Sequence, residues 1–341
     1  MTRTASSVLV KWADVVGLFQ DSIDERKTKH WWVWHLANAR AGRSSIFFSR
    51  MCSTIGEIDD VVPGFAKSFV ERVTKITGLE PAKYEALMAA CAELYVGIGM
   101  LRVADKDAAG KPVFGVEPGA MRDKKPEFVS RTKGIDYIVE VKCPDLQEHG
   151  RQRRQNDTQL NTRVANVRNA LKPGTLPRDN PIKDFLVSAQ EKFATYRSTT
   201  KTGPTSLLFI IWDDFGNEPI AALVSSASGL LTTNSFYRKE GRAVTFPDVD
   251  GVVVSRYQNA LSHFMADEPG PDDETIPFQY HNGGGFPWKA MIQNPHGKAI
   301  PPELAETLDL TDQVGLGATA GDYSATDFVM WTTYEIKQPK E

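Results

Sequence analysis

Apolar residues recur every three or four positions near the start of the chain, over residues 7–50. That spacing places them on one face of an α-helix, so we predict an N-terminal helical segment over residues 1–80. A longer helix is predicted to start after Pro81, since proline is favourable in a first helical turn. Its apolar stripe runs to Ile98, and Glu93 lies at the margin of that stripe, where burying a carboxylate is costly.

Short strands are predicted to follow this helix. Apolar runs over residues 113–116 and 126–129 predict two of them, and a turn at Lys133 and Gly134 leads into a third over residues 135–142. In the third strand one face is uniformly apolar, whereas the other carries most of the charge. We expect these strands to be antiparallel neighbours in one sheet, with the long helix packed on it.

Beyond residue 142 the pattern alternates helices with strands. The run from Ser206 to Trp212 is almost wholly apolar, which is typical of a strand buried on both faces of a mixed or parallel sheet. The other elements predicted here are a helix after a basic stretch within residues 150–172, a helix over 183–196, a strand over 249–254 and a helix over 256–265. This order predicts the α/β class, with a central mixed β-sheet flanked by helices.

The predicted elements divide the chain into three parts. Residues 1–80 are the N-terminal helical segment, and residues 81–266 form the α/β core. Residues 267–341 are rich in proline, glycine and aspartate and are expected to be a largely irregular C-terminal extension. The chain contains no internal repeat and no low-complexity tract.

Composition adds limits on the class of protein. The 341 residues carry a formal net charge of -3, so the total charge does not indicate nucleic-acid binding, which follows the local surface field. Cys52, Cys91 and Cys143 form no CxxC pair, which excludes a zinc ribbon or a thioredoxin-like site and suits a reducing compartment. We see no signal peptide and no stretch that approaches the apolar length of a membrane span. We therefore expect a cytoplasmic protein with no membrane partner.

Several enzyme classes lack support because their motifs are missing from the sequence. There is no HExxH metal motif, no GxSxG, no Walker A and no GxGxxG. Gly315-Leu316-Gly317 lacks the preceding strand that a dinucleotide-binding loop requires. Serine hydrolase, NTPase and dinucleotide-binding functions are thus poorly supported.

The chemistry of the predicted sheet centres on Glu140 and Lys142, which project from the same face of one strand. A carboxylate there can bind Mg²⁺ through oxygen, and a lysine can polarise a water or stabilise charge on a phosphoryl group. Glu127 on the preceding strand and Glu93 on the upstream helix are candidates for further metal ligands. Asp136 shares the face of Glu140, but four strand residues span roughly 13 Å, too far to share one ion easily.

The order of these residues resembles the motif of the PD-(D/E)xK nuclease superfamily, in which a PD dipeptide precedes a strand carrying (D/E)xK. Here Pro126-Glu127-Phe128 is followed by a turn and then by Glu140-Val141-Lys142, with Glu93 on the upstream helix. The resemblance implies a restriction-endonuclease-like core over residues 81–266. It also implies a Mg²⁺-dependent nuclease, with Mn²⁺ able to substitute, in which Glu93, Glu127, Glu140 and Lys142 are catalytic and the three glutamates bind the metal. The departure is glutamate at 127, where the family usually has aspartate.

Two interpretations of function stay open. The first is a nuclease that acts on DNA, in restriction, anti-phage defence or repair. The second is a nuclease-fold protein with a degenerate site that serves as a nucleic-acid-binding or scaffold subunit, as the glutamate at 127 suggests. An ExK sequence taken alone also fits a surface ion pair on an edge strand.

Basic residues beyond the ExK strand suggest where a nucleic acid would bind. Arg151, Arg153 and Arg154 suit phosphate contact, although a solvated loop would have the same composition. Polar residues of a later helix approach the site in related nucleases, which makes Gln190 and Lys192 of interest, but an exposed helix face is the preferred interpretation. The expected partner is DNA. A homodimer, or a partner chain that supplies ATP-driven steps, stays open.

Overall fold

We describe the protein from a computed structural model. It describes residues 5–26, 31–43, 45–78, 80–117, 125–144, 158–162, 181–200, 202–213, 218–270, 275–281, 288–311 and 328–332. The helices are α1 (Ala5–Arg26), α2 (Trp32–Arg40), α3 (Ile46–Asp59), α4 (Phe65–Thr74), α5 (Pro81–Arg102), α6 (Ile182–Thr199), α7 (Glu218–Val224), α8 (Gln258–Met265) and α9 (Glu303–Thr307). The strands are β1 (Phe114–Val116), β2 (Phe128–Thr132), β3 (Ile135–Lys142), β4 (Thr158–Thr162), β5 (Thr205–Ile211), β6 (Arg238–Lys239), β7 (Arg242–Ala243), β8 (Gly251–Ser255), β9 (Lys289–Gln293) and β10 (Phe328–Thr332).

The N-terminal helices form one packed group, as the helical periodicity predicts. Helix α1 packs against α3 and α4. The rings of Phe19, Trp32 and Phe48 meet in its interior, with centroids 5.4 Å apart for Phe19–Trp32 and for Phe19–Phe48. Helix α3 begins after Ser45, whose hydroxyl accepts the Phe48 N–H at 3.1 Å and so satisfies a free amide of the first turn.

Helix α5 is the central helix of the protein and confirms the prediction from Pro81 onward. It packs against α3, α8 and β3. By length and apolar content alone it could cross a membrane, so the expectation that no stretch has that length is wrong. However, 72% of its most apolar window is buried inside the protein, which is typical of a core helix.

A mixed six-stranded sheet forms the middle layer, with the strand order β1-β2-β3-β5-β8-β9. Strands β1, β2 and β3 are antiparallel neighbours, as predicted. Strand β5 lies parallel to β3 and to β8, and all of its residues are buried, which confirms the interpretation of the apolar run at 206–212. Helices cover both faces, so the α/β class is observed.

The turn between β2 and β3 fixes the hairpin that carries the ExK sequence. Lys133 and Gly134 both have positive φ, 49° and 77°, which a two-residue hairpin turn of type I′ requires. Asp105 holds this turn, because its two carboxylate oxygens accept the Lys133 N–H at 2.9 Å and the Gly134 N–H at 2.7 Å.

The sheet separates two hydrophobic cores. Tyr137, Val139 and Val141 of β3 face the core shared with α5 and the N-terminal helices. Ile138 faces the other core, which α6 and α7 cover. Since side chains alternate along a strand, Glu140 lies on the same face as Ile138, towards α6.

Two regions contain strands that the sequence did not predict. The stretch predicted to be largely irregular from residue 267 contains β9, which pairs with β8 and belongs to the central sheet. The helix predicted within 150–172 is contradicted at Thr158–Thr162, which is strand β4 and pairs with β10. In both cases a partner that is remote in the sequence supplies the hydrogen bonds, so local periodicity could not reveal the strand.

Strand β9 lies at one edge of the sheet, and Thr311 covers part of that edge. The Met291 N–H donates to the Thr311 carbonyl at 2.9 Å, and the Thr311 N–H donates to the Lys289 carbonyl at 2.8 Å. The side chain of Lys289 is buried, and its Nζ donates to the Tyr280 carbonyl at 3.1 Å and lies 3.3 Å from Asp309 Oδ2.

Candidate active site

The β2–β3 hairpin places Glu127, Glu140 and Lys142 at the same end of the sheet. Glu127 directly precedes β2, and its N–H donates to the Val139 carbonyl at 2.9 Å, which holds it beside the last part of β3. Glu140 is fully buried, and Lys142 Nζ lies 2.7 Å from its Oε1. The pair therefore differs from the alternative of a surface ion pair on an edge strand, because β3 is an interior strand and its carboxylate has no exposure.

Lys192 of α6 joins these residues. Its Nζ donates to Glu140 Oε1 at 2.7 Å and to Glu127 Oε1 at 3.0 Å. The preference for an exposed helix face at this position is therefore wrong, because Lys192 bridges both carboxylates and its side chain is only 22% exposed. Gln190, by contrast, donates to Asp248 and does not approach the site.

The sequence contains a signal for Lys192 that spacing alone reveals. Leu186, Ala189 and Phe193 form the buried stripe of α6. Lys192 lies three positions after Ala189 and next to Phe193, so it borders the face that packs on the sheet. A lysine at that margin can extend along the apolar surface and place its ammonium at the edge of the sheet.

Glu93 of α5 lies close to the pair but forms its own ion pair. Its Oε2 is 2.6 Å from Arg72 of α4, a residue that the sequence did not single out. Glu93 and Glu127 both line one cavity of about 310 Å³ between α4, α5 and the start of β2. No local pattern could have identified Arg72, since α4 packs on α1 and α3 and only this tertiary arrangement brings Arg72 to Glu93.

Burial dominates the electrostatics of this site. It raises the pKa of Glu93 to about 7, with the nearby Arg72 opposing the rise and Glu127 adding to it. Burial also raises the pKa of Glu140, against the opposing effect of Lys142 and with a further rise from Glu127. Burial alone would lower the pKa of Lys192, but Glu140 and Glu127 more than compensate and raise it. The carboxylates thus repel one another and depend on nearby cations.

One observation opposes a metal ion at this site, and another favours it. In the part of the chain that the structure describes, no three His, Cys, Asp or Glu side chains lie close enough together to hold a metal ion. Glu140 Oε2, however, is buried and has no hydrogen-bond partner within the described ranges, and carboxylate oxygens are the ligands that Mg²⁺ prefers. The carboxylates of Glu93, Glu127 and Glu140 are therefore suitable ligands for a divalent cation. In the structure, however, they form ion pairs with Arg72, Lys142 and Lys192.

Other residues named from the sequence lie elsewhere. Asp136 pairs with Arg131 at 2.7 Å, and its expected separation from Glu140 stays a prediction. Arg151, Arg153 and Arg154 lie outside the residues that the structure describes. Their role in binding nucleic acid stays a prediction.

Comparisons with known proteins add no family. No protein-family model matches the chain, and neither the curated proteins nor the solved structures contain a significant match. Functional reasoning therefore depends on the residues and geometry of this site.

Proposed function

We propose that this protein is a Mg²⁺-dependent nuclease of the PD-(D/E)xK type that hydrolyses phosphodiester bonds in DNA. The observation that carries the proposal is the buried carboxylate of Glu140. One of its oxygens accepts from both Lys142 and Lys192, the other has no hydrogen-bond partner among the residues that the structure describes, and Glu127 shares Lys192 with it. A buried carboxylate oxygen without a partner is costly, and a bound cation would satisfy it.

The fold supports the same proposal. The ExK strand β3 follows an antiparallel partner and precedes the parallel strands β5 and β8, with α5 packed on one face and α6 on the other. This arrangement is what a restriction-endonuclease-like core would require to bring a helix glutamate, a hairpin and an ExK strand to one end of the sheet. We therefore propose that core for residues 81–266, extended by β9.

In this proposal the chain's own residues have distinct roles. Glu127, Glu140 and Glu93 would hold the metal, which when bound supplies Lewis-acid stabilisation of phosphate charge. Lys142, held 2.7 Å from Glu140 Oε1, is placed to stabilise negative charge on the phosphoryl group or to orient a water. Lys192 compensates the charge of two carboxylates and fixes their positions.

The direct test is cleavage of plasmid, single-stranded DNA and RNA with Mg²⁺ or Mn²⁺, with EDTA as the blank. We expect the wild type to cleave DNA, and both Glu140→Gln and Lys142→Ala to lose this activity. Lys239→Ala, which changes an exposed lysine of the β6–β7 hairpin, is the matched control and should cleave as the wild type does. Equal cleavage by all variants would place the active site elsewhere.

A second candidate function is a degenerate nuclease fold that binds nucleic acid without cutting it. Two observations favour it: Lys192 already neutralises Glu127 and Glu140, and within the described ranges no group of three acids is arranged for a metal. The glutamate at 127 in place of aspartate points the same way. DNA binding by the wild type, with no cleavage under any of the metal conditions, would select this alternative.

A further inference from the structure

The cavity beside the candidate active site has walls of two kinds. Phe65 and Phe69 of α4 lie on one side, with ring centroids 5.6 Å apart. Phe128, at the start of β2, also borders the cavity, while its buried ring packs against Gly97 of α5 and against Phe114. The remaining polar lining includes Glu93 and Glu127. Its volume of about 310 Å³ reaches the lower end of the range for small-molecule pockets, which begins at about 300 Å³.

The charges in the cavity limit what can bind there. The only basic side chain in its described lining is Arg72, which is engaged with Glu93 at 2.6 Å and lies 5.2 Å from the centre of the Phe69 ring. Carboxylates in the lining repel a phosphate but accept hydrogen bonds from N–H groups. The aromatic side chains of Phe65 and Phe69 favour a flat ligand, and the acidic lining favours one that carries N–H donors and no negative charge.

A nucleobase has these properties. It stacks on aromatic side chains, and its amino and imino groups donate to carboxylates, as cytosine does to glutamate. We propose that the cavity binds one unpaired nucleobase of the substrate, next to the phosphate that reacts. This inference rests on the proposed nuclease function, because Glu93 and Glu127 belong to both the cavity and the candidate active site.

The consequence concerns the class of substrate. A base inside a duplex is paired along its edge and stacked on both faces, so it enters such a cavity only after it is unpaired. The cavity therefore favours single-stranded nucleic acid, or a strand end that opens, over an intact duplex.

The experiment compares binding of a short labelled single-stranded DNA with binding of its duplex, by fluorescence anisotropy in EDTA. Phe65→Ala should weaken single-strand binding about tenfold or more, with little change for the duplex. Phe65→Leu keeps an apolar side chain but removes the ring, and should also weaken it. Phe236→Ala, at a half-buried phenylalanine packed on the other core, is the matched control and should bind as the wild type does.

A second readout separates base contact from phosphate contact. Saturation-transfer NMR with free cytidine or adenosine, which carry no phosphate, should show contact with the wild type and with Phe236→Ala, but not with Phe65→Ala. Thermal unfolding of each variant establishes that it is folded. If Phe65→Ala fails to fold, Phe65→Leu carries the test.

The outcomes distinguish the two proposals. Unchanged single-strand binding in the folded Phe65 variants, with no nucleoside contact, overturns the cavity proposal even if the protein cleaves DNA. Binding that depends on Phe65, in a protein that never cleaves, supports the base-binding cavity while the nuclease function fails.

Discussion

Lys192 Nζ lies 2.7 Å from Glu140 Oε1, the same distance as Lys142 Nζ, so one buried carboxylate oxygen accepts from two ammonium groups. The two lysines arrive from different elements, one from the strand that carries Glu140 and one from a helix on that face of the sheet. Lys192 bridges two carboxylates, since its Nζ also lies 3.0 Å from Glu127 Oε1, whereas Lys142 forms its ion pair with Glu140. The two lysines therefore have different expected roles, which mutation can separate.

Lys192→Met should lower stability in metal-free buffer. The substitution keeps an apolar stem but leaves Glu127 and Glu140 without their shared cation. Removing one member of a buried pair costs several kcal/mol, and because Lys192 is 22% exposed we expect about 1–3 kcal/mol. Thermal unfolding in EDTA measures this, with Lys67→Met, an exposed lysine on α4, as control. Mg²⁺ should then raise the melting temperature of Lys192→Met more than that of the wild type. An equal increase in both proteins would contradict the proposal that Lys192 neutralises the two carboxylates.

Glu140→Ala should remove most of the stabilisation that a divalent ion gives. Burial is the main cause of the raised pKa values of Glu93 and Glu140, and repulsion from Glu127 adds to it. An ion among the carboxylates would relieve that repulsion and favour their charged forms. Mg²⁺ or Mn²⁺ should raise the melting temperature of the wild type. Glu57→Ala, which breaks the Glu57–Arg102 ion pair instead, should keep the full increase. The same increase in Glu140→Ala would place the ion elsewhere.

Lys142→Ala should reduce the rate of cleavage while DNA affinity changes little. Its charge acts mainly when negative charge develops on the phosphoryl group, so we expect a loss on the order of 10² or more. A double change of Arg153 and Arg154 to alanine should do the reverse, weakening binding and its salt dependence while the bound complex still cleaves. Single-turnover rates and binding isotherms measure both. Equally fast cleavage by Lys142→Ala at saturating enzyme would exclude this active site.

Glu93 should make stability depend on pH. Its pKa rises from the ordinary 4.5 to about 7 in the folded protein, so the folded state holds its proton more tightly than the unfolded chain. The preference of the folded state for protonated Glu93 therefore stabilises the protein fully below pH 4.5. This stabilisation is lost as pH rises to about 7, which lowers the free energy of unfolding by on the order of 1–3 kcal/mol.

Glu93→Gln tests this dependence. In EDTA, the free energy of unfolding of the variant minus that of the wild type should grow between pH 4.5 and 7, because only the wild type has a carboxyl group that ionises there. Chemical denaturation at several pH values measures the difference. Glu57→Gln is the control with an ion-paired glutamate elsewhere, and a pH-independent difference for Glu93→Gln would contradict the raised pKa.

The apolar spacing of the sequence correctly predicted those helices and strands whose form depends on neighbouring residues. Helix α5 and strand β3 follow their apolar spacing, and the structure gives β3 the predicted bounds Ile135–Lys142. The segment of strand β4 has a helical apolar spacing and is therefore predicted as part of a helix. It forms a strand because its five residues pair with β10, about half the chain away.

The candidate site shows the same division. Glu127, Glu140 and Lys142 belong to one hairpin, so strand register alone brings them together. Arg72 reaches Glu93 through the tertiary position of α4, which packs on α1 and α3, and Lys192 reaches Glu127 and Glu140 because α6 packs on the sheet. Sequence spacing indicated the three acids and Lys142, and it placed Lys192 at the margin of a buried face, but it gave no sign of Arg72.

Strand β9 has a consequence for shortened forms of the protein. A chain ending near residue 266 would retain Glu93, Glu127, Glu140 and Lys142, yet it would leave the apolar strand β8 at an open edge of the sheet. Open apolar edges recruit strands from other molecules. In the full chain β9 occupies that position, and its own outer edge is partly covered by Thr311. We therefore expect a chain that ends near residue 266 to aggregate more readily than one that includes β9.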